Sequence, residues 1–287
     1  MLNISQDEVS GIKYFPLDFK RDARAWPTQV RFVFENKLQR SCRTVIWRCT
    51  TPRGAPRKMS ESNRLLDSLT MKDRKEVLKR SIHVELEAKE LVSDAGTRPQ
   101  HAYFMLSALA SEVVGLADGE LVEIGLVGFE GVTGTFHLLG KSASVSQCLI
   151  QIAGSAYRIS LRDLEQLFVN SEGVRKGILQ YVQHQMAHLG QTAACNRMHD
   201  AGPRFARWLL TVQDRSARDE FLLTQQFLAH ILGTGRTTIN VLARHFERQA
   251  LIGHNRGKIR ILDREGLESV ACACYEATRN TLIELYG

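Results

Sequence analysis

Arg236, Thr237, Asn240, Val241, Arg244 and Arg248 are the residues most able to do recognition chemistry. Thr237, Val241, Arg244 and Arg248 are spaced i, i+4, i+7 and i+11, so a helix would set them on one polar, basic face. Arg236 stands at the start of that helix, and Asn240 completes the set expected to reach base edges. An arginine guanidinium is a planar fork that matches the O6/N7 edge of guanine. The same helix carries Ile239, Leu242, Ala243 and Phe246 on its other face. Ahead of it, Thr224 can cap a shorter helix bearing Phe227, Leu228, Ile231 and Leu232, and Gly233-Thr234-Gly235 breaks the period as a tight turn would. A short helix, a glycine turn and a helix with a basic outer face make a helix-turn-helix, whose second helix would enter a DNA major groove.

Two amphipathic core helices would give the same bare pattern, so the flanks decide. Leu251-Ile252 leads through Gly253–Lys258 into Ile259-Arg260-Ile261-Leu262, a strand, a turn with Arg256 and Lys258, and a second strand. Phe221-Leu222-Leu223 reads as a further strand ahead of the helix pair. Helices, strand and hairpin together predict a winged helix. Thr224, Thr238, Arg244, Arg256 and Lys258 are then placed to contact phosphates, which fixes register without reading sequence.

Other reactive side chains do not assemble into a site on the sequence. Of six cysteines, Cys42 and Cys49 lie in the N-terminal stretch, and Cys148 and Cys195 are too few for a four-thiolate iron–sulfur cluster. Cys272 and Cys274 are assigned to the core side of a C-terminal helix, and the cysteines show no disulfide-framework spacing. His184 and His188, at i and i+4, could ligate a metal or haem, but a structural role is favoured, and no metal or cofactor is expected. There is no nucleophile–base constellation and no phosphate loop, so an enzyme is not expected.

The charge is informative once divided. The chain of 287 residues carries a net +7. All of that excess lies in residues 1–58, with 12 basic and 5 acidic residues. Residues 59–170 hold 11 basic and 15 acidic residues, and residues 203–262 hold 10 and 4. An acidic module beside a basic one fits DNA binding by the second. No apolar run approaches the ~18 residues of a membrane helix and no signal peptide is visible, so the expected setting is cytoplasmic.

Four regions follow. Residues 1–58 read as a disordered leader, with Met59 the expected initiator; the alternative is a basic arm that adds non-specific DNA affinity. Residues 59–169 hold a first helix over 63–80, with Thr70 and Asp73 as a cap inside it, then short glycine-punctuated strands that predict a small antiparallel barrel. Val113-Val114, Leu121–Val127 and Cys148–Ile152 are strand-like, and Ser160 caps a short helix through Phe168. Residues 170–200 hold a long helix, about 172–198, whose stripe of Ile178, Tyr181, Val182, Gln185, Met186, Leu189 and Ala193 is expected to form a dimer seam. Asp200–Pro203 is the expected hinge into 201–287, which ends in a helix from Arg264 to about Glu284.

From roughly Asn63 to Leu282 the sequence resembles the Crp/Fnr family of bacterial transcription regulators, most clearly in RFARWLLTVQD (204–214) and ALIGHNRGKIRILDREGLE (250–268). The resemblance implies an α+β chain: a jelly-roll sensor domain of the cyclic-nucleotide-binding fold, a long dimerisation helix and a winged helix-turn-helix. It aligns Arg236 with an arginine used on guanine or nearby phosphate. Thr237 and Val241 replace the Glu and Arg that the cyclic-AMP receptor uses, so a different operator is implied, with both side chains able to touch a thymine methyl. For an effector, Gly134 matches the family's ribose-binding glycine, but Thr135 replaces its Glu, and Lys141-Ser142 only echoes the phosphate element. Lysine lacks arginine's bidentate fork, which argues against cyclic AMP. The expected partners are an inverted-repeat operator, a second copy of the chain, an unidentified small effector and RNA polymerase. A ligand-independent dimeric regulator, or a ligand-binding or enzymatic protein with a vestigial helix-turn-helix, are the alternatives.

Overall fold

The computed structural model describes residues 62–286 apart from Asp118, Glu120, Lys141 and Arg256. The expected leader, the start at Met59 and the sites at Lys141 and Arg256 lie outside the described residues. The predicted first helix is two, α1 (Arg64–Ser68) and α2 (Met71–Lys79). The break falls where Thr70 leaves the helix to cap α2, its hydroxyl accepting from the Asp73 N–H. Asn63 caps α1 and donates its amide to the carbonyls of Met105 and Gly131, which ties α1 to the barrel.

The barrel is two antiparallel sheets. One runs β1 (Ser81–Leu86), β7 (Gly154–Ser160), β3 (His101–Met105); the other runs β2 (Leu91–Ser93), β6 (Gln147–Ile152), β4 (Leu109–Gly115), β5 (Leu121–Val127). All the strand-like stretches expected from the sequence are strands. Tyr103, Met105, Ala110, Val127, Ile150 and Ala156 fill the space between the sheets. Burying such side chains is worth about 25 cal/mol per Å² of apolar surface.

Ser160 caps α3 (Leu161–Asn170), and Ser171 caps the long α4 (Glu172–Met198), each hydroxyl accepting from the N–H three residues on. The expected dimer stripe on α4 needs correction. Ile178, Tyr181 and Val182 are buried within their own chain, in a core with Leu65, Phe104, Val132 and Leu164. Gly131 explains the seat: a Cβ there would overlap the Tyr181 ring, so only glycine lets the ring in. Gln185 and Leu189 are half-buried, while Met186 and Ala193 are exposed. The free face of α4 is Leu179, Gln183, Met186, Gly190 and Ala193.

The expected hinge over 200–203 contracts to His199-Asp200, because α5 (Ala201–Ser216) already begins at Ala201 with Pro203 in its first turn. Then follow β8 (Glu220–Leu222), α6 (Gln225–Leu232), α7 (Arg236–Arg248), β9 (Ile252–Asn255), β10 (Lys258–Ile261), α8 (Arg264–Val270) and α9 (Cys274–Tyr286). Strands β8, β10 and β9 form one antiparallel sheet in that order. The single C-terminal helix expected from Arg264 is therefore two, parted at Ala271–Ala273. Helix α9 returns along α4: the Thr281 hydroxyl and His184 Nδ1 are 3.2 Å apart, and the Tyr286 hydroxyl donates to the Glu130 carbonyl.

The core of the C-terminal domain does not stop at the domain boundary. Leu109, Leu126 and Ile152 of the barrel join Phe205, Leu209, Phe221, Ile239 and Phe246 in one cluster. Polar ties reinforce that junction. Trp208 Nε1 donates to Glu123 at 2.7 Å, and Arg215 pairs with Glu130 at 3.5 Å where both are buried. Arg218 donates to the Ala153 carbonyl at 2.9 Å. Among the described residues no helix is long and apolar enough to cross a membrane.

Candidate nucleic-acid interface

Helices α6 and α7 are set by their ends. The Thr224 hydroxyl accepts from the Phe227 N–H at 3.2 Å and starts α6. Gly233 ends it with φ +53, a left-handed turn that costs glycine nothing. Gly235 precedes α7 and supplies no side-chain cap. The first N–H groups of α7 thus keep their donors for an outside acceptor, and the helix dipole favours an anion there. On the inner face, Ile239, Ala243 and Phe246 are buried, with Phe246 stacked on Phe205 at 5.4 Å between ring centroids.

Arg236, Thr237, Thr238, Val241, Arg244 and Arg248 are all exposed on the other face. Val241, an apolar residue, is 59 % exposed, and the Arg236 side chain makes no hydrogen bond or ion pair among the described residues. The one acidic residue of α7, Glu247, is turned away and accepts from the His254 N–H at 3.1 Å. Asn240 departs from its expected place: it is half-buried, and its Oδ1 is enclosed without a partner. Lys258 is exposed on the wing, yet its Nζ lies 3.3 Å from Glu220. Arg260, not singled out on the sequence, binds the same carboxylate at 2.6 Å. Arg260 first and Lys258 second hold the Glu220 carboxyl below its ordinary range. The wing cation expected to meet phosphate is therefore already shared with an acid on β8.

The residues expected to hold an effector are differently employed. Gly134 adopts φ +76 and opens a 3-10 turn, Thr135–Leu138. Thr135 is buried, and its hydroxyl donates to Gln185 on α4 at 2.5 Å. Ser142 is exposed, and its carbonyl lies 3.1 Å from His137 Nδ1. So Thr135 links barrel to long helix, and Gln185 serves that link as well as any seam. His184 and His188 are buried on α4, where desolvation first and Arg215 second lower both pKa values, that of His184 to about 3.

A free recognition helix on a winged helix, joined through a long helix to a small antiparallel barrel, is the architecture of a DNA-binding module carried beside a β-barrel domain. Comparison with known proteins agrees. Residues 203–270 match the model of the Crp-like helix-turn-helix domain. The structure is similar to that of FixK2 from Bradyrhizobium japonicum, with 15% identity, TM-score 0.58, and 67% of this chain and 98% of that chain covered. It is similar to CLP, a c-di-GMP responsive global regulator of Xanthomonas campestris, with 15% identity, TM-score 0.56, and 68% and 100% covered. It is also similar to TTHB099, a CRP-family transcriptional regulator of Thermus thermophilus, with 20% identity, TM-score 0.55, and 66% and 96% covered. No curated protein sequence matches the chain significantly. Those structural likenesses establish the fold. The family match is confined to the DNA-binding domain: residues 203–270 form a Crp-like helix-turn-helix domain.

Proposed function

We propose that two copies of this chain pair through the free face of α4 and present their α7 helices to an inverted-repeat operator with half-sites one helical turn apart. The observation that carries this reading is the outer face of α7, where Arg236, Thr237, Val241 and Arg244 stand exposed around an uncapped helix start. Arg236 reads guanine or its phosphate, Thr237 and Val241 meet thymine methyls, and Thr224, Thr238, Arg244 and the wing residues Arg256 and Lys258 hold the backbone. Leu179 and Met186, 42 % and 61 % exposed, supply apolar area for the dimer seam, and Gly190 and Ala193 let two helices approach closely. The barrel acts as a sensor for a small effector and shifts the dimer between arrangements of its recognition helices. Thr135, turned to Gln185, supports an effector other than cyclic AMP. The chain works in the cytoplasm as a regulator rather than an enzyme, with RNA polymerase as a further partner.

Selection of bound sequences from random duplexes, at one stated salt concentration, tests the proposal with wild type and Arg236→Ala. An inverted repeat that the variant loses or relaxes supports it. Binding that is weak, salt-sensitive and indifferent to sequence, with and without cell-extract metabolites, overturns it.

A further inference from the structure

Four potential metal ligands that are far apart in sequence meet at the hinge. Cys195 and His199 lie one turn apart at the end of α4, and Cys272 and Cys274 flank one alanine at the junction of α8 and α9. One ligand atom from each of the four lies within 4.8 Å of all the others. Cys195 Sγ is 3.4 Å from Cys272 Sγ, and Cys274 Sγ is 3.5 Å from His199 Nδ1. A tetrahedral zinc ion with Zn–S near 2.3 Å and Zn–N near 2.0 Å places its ligand atoms about 3.5–3.8 Å apart. The three thiols are buried at 0 %, 8 % and 4 % exposure and form a cluster of their own, separate from the larger apolar cores.

We infer that Cys195, His199, Cys272 and Cys274 form a closed, structural site for one tetrahedral Zn²⁺ ion that clamps the end of the long helix to the α8–α9 junction. The donor set selects the ion: sulfur-rich tetrahedral ligands take zinc and not the oxygen-seeking magnesium or calcium. Three thiolates and one Zn²⁺ leave a net charge of −1, and the surroundings answer it. Arg204 and Arg207, on the first turns of α5, each bury an Nε without an acceptor. Both are close enough for their charges to act on the Cys195 thiol or to feel it. Gln191 donates its amide to Cys274 Sγ at 2.9 Å, the kind of outer contact that orients a metal-bound thiolate. With four protein ligands no position is left open, so the site is structural.

The placement gives the ion a task. One ligand pair ends α4 at the hinge and the other follows the winged helix, so one ion closes a loop between residues 195 and 272. It fixes the angle at which α4 hands over to the DNA-binding domain. The inference concerns this clamp and stands whether or not the operator reading holds.

The test is metal analysis of the full chain purified under reducing conditions with added zinc and then dialysed. The expected result is about one zinc per chain, with release by a thiol reagent that modifies the cysteines. Cobalt loading is expected to give the visible bands of a tetrahedral thiolate site. Cys274→Ser and His199→Ala are expected to lose most of the metal, while His199→Cys, which restores a fourth thiolate, keeps it in a folded chain. Zinc removal is expected to speed tryptic cleavage after the exposed Arg197 severalfold. Folded wild type that holds no metal and whose thiols all react freely overturns the inference. So does a Cys195–Cys272 disulfide in reduced, zinc-supplied protein, or unchanged cleavage after metal removal.

Discussion

Replacing Glu123 by glutamine should make the protein more stable in mild alkali and change it little in mild acid. Glu123 is 7 % exposed at the junction between barrel and DNA-binding domain. One oxygen accepts from Trp208 Nε1 and the other from the Ser111 hydroxyl, each at 2.7 Å. Burial pushes its carboxyl from 4.5 up to about 7, against the opposing pull of those two bonds, Arg207 and Arg215. The folded state therefore holds this proton more tightly than the unfolded chain does. Stability is present below the unfolded pKa and is lost as pH rises through the folded one. Each tenfold gain in proton affinity on folding is worth about 1.4 kcal/mol, and integration from roughly pH 5 to pH 8 gives a loss of about 2.5 kcal/mol. An amide cannot ionise, yet its oxygen still accepts from Trp208 and its NH₂ can donate to Ser111. Urea unfolding followed by circular dichroism, at both pH values, measures the effect. The stability difference between variant and wild type should swing by about 2.5 kcal/mol in favour of glutamine at the higher pH. A difference flat with pH, or a variant weaker in alkali, would refute the reasoning and mean that Arg207 and Arg215 hold a buried carboxylate.

The histidines act in the opposite sense. Because His184 and His188 are held neutral, with folded pKa values below 6.5, their stabilisation is present above the unfolded value and is lost as pH falls; His188→Gln should lower the acid-unfolding midpoint. On DNA, Arg236→Ala should cost about 1–3 kcal/mol at its base pair and relax specificity there, whereas Arg244→Ala should weaken all sequences alike and reduce the salt slope by about 1 in a titration series. On α4, Met186→Glu should shift the proposed dimer to monomer in size-exclusion chromatography with circular dichroism unchanged. Ile178→Glu should unfold the chain instead, because that side chain is 2 % exposed in its own core.

The sequence carried the winged helix well, because turn glycines, caps and a 3.6-residue period are local signals. Thr224, Gly233 and the Ile239–Phe246 face stand where those signals place them. The stripe on α4 shows the limit. Periodicity marks Ile178, Tyr181 and Val182 as apolar without saying what covers them, and a barrel glycine 50 residues earlier, Gly131, turned out to supply the seat for Tyr181. The face left free keeps Met186 and Ala193 of that stripe and adds Leu179, Gln183 and Gly190, so it is poorer in large apolar groups. Glu123 lies in an expected strand, but nothing local announces that Trp208 closes over it. Cys195 and Cys272 are 77 positions apart, and only the return of the chain past α8 brings them together. A hint was present in the Cys195–His199 and Cys272–Cys274 spacings, but short pairs of that kind gain meaning only when a fold joins them.

The long helix can also be considered as a lever. Its 27 residues span about 40 Å, and its far end is separated from α5 by two residues, too few to absorb an angular change. A tilt of about 5° about the N-terminal seat carries that end about 3.5 Å, close to the 3.4 Å rise between neighbouring base pairs. A small displacement at the barrel end of the helix is thus geared up roughly to the step of the DNA itself. Because Trp208, Arg215 and Arg218 also tie the DNA-binding domain to the barrel, such a tilt must part those contacts, so barrel and long helix set the position of α7 together.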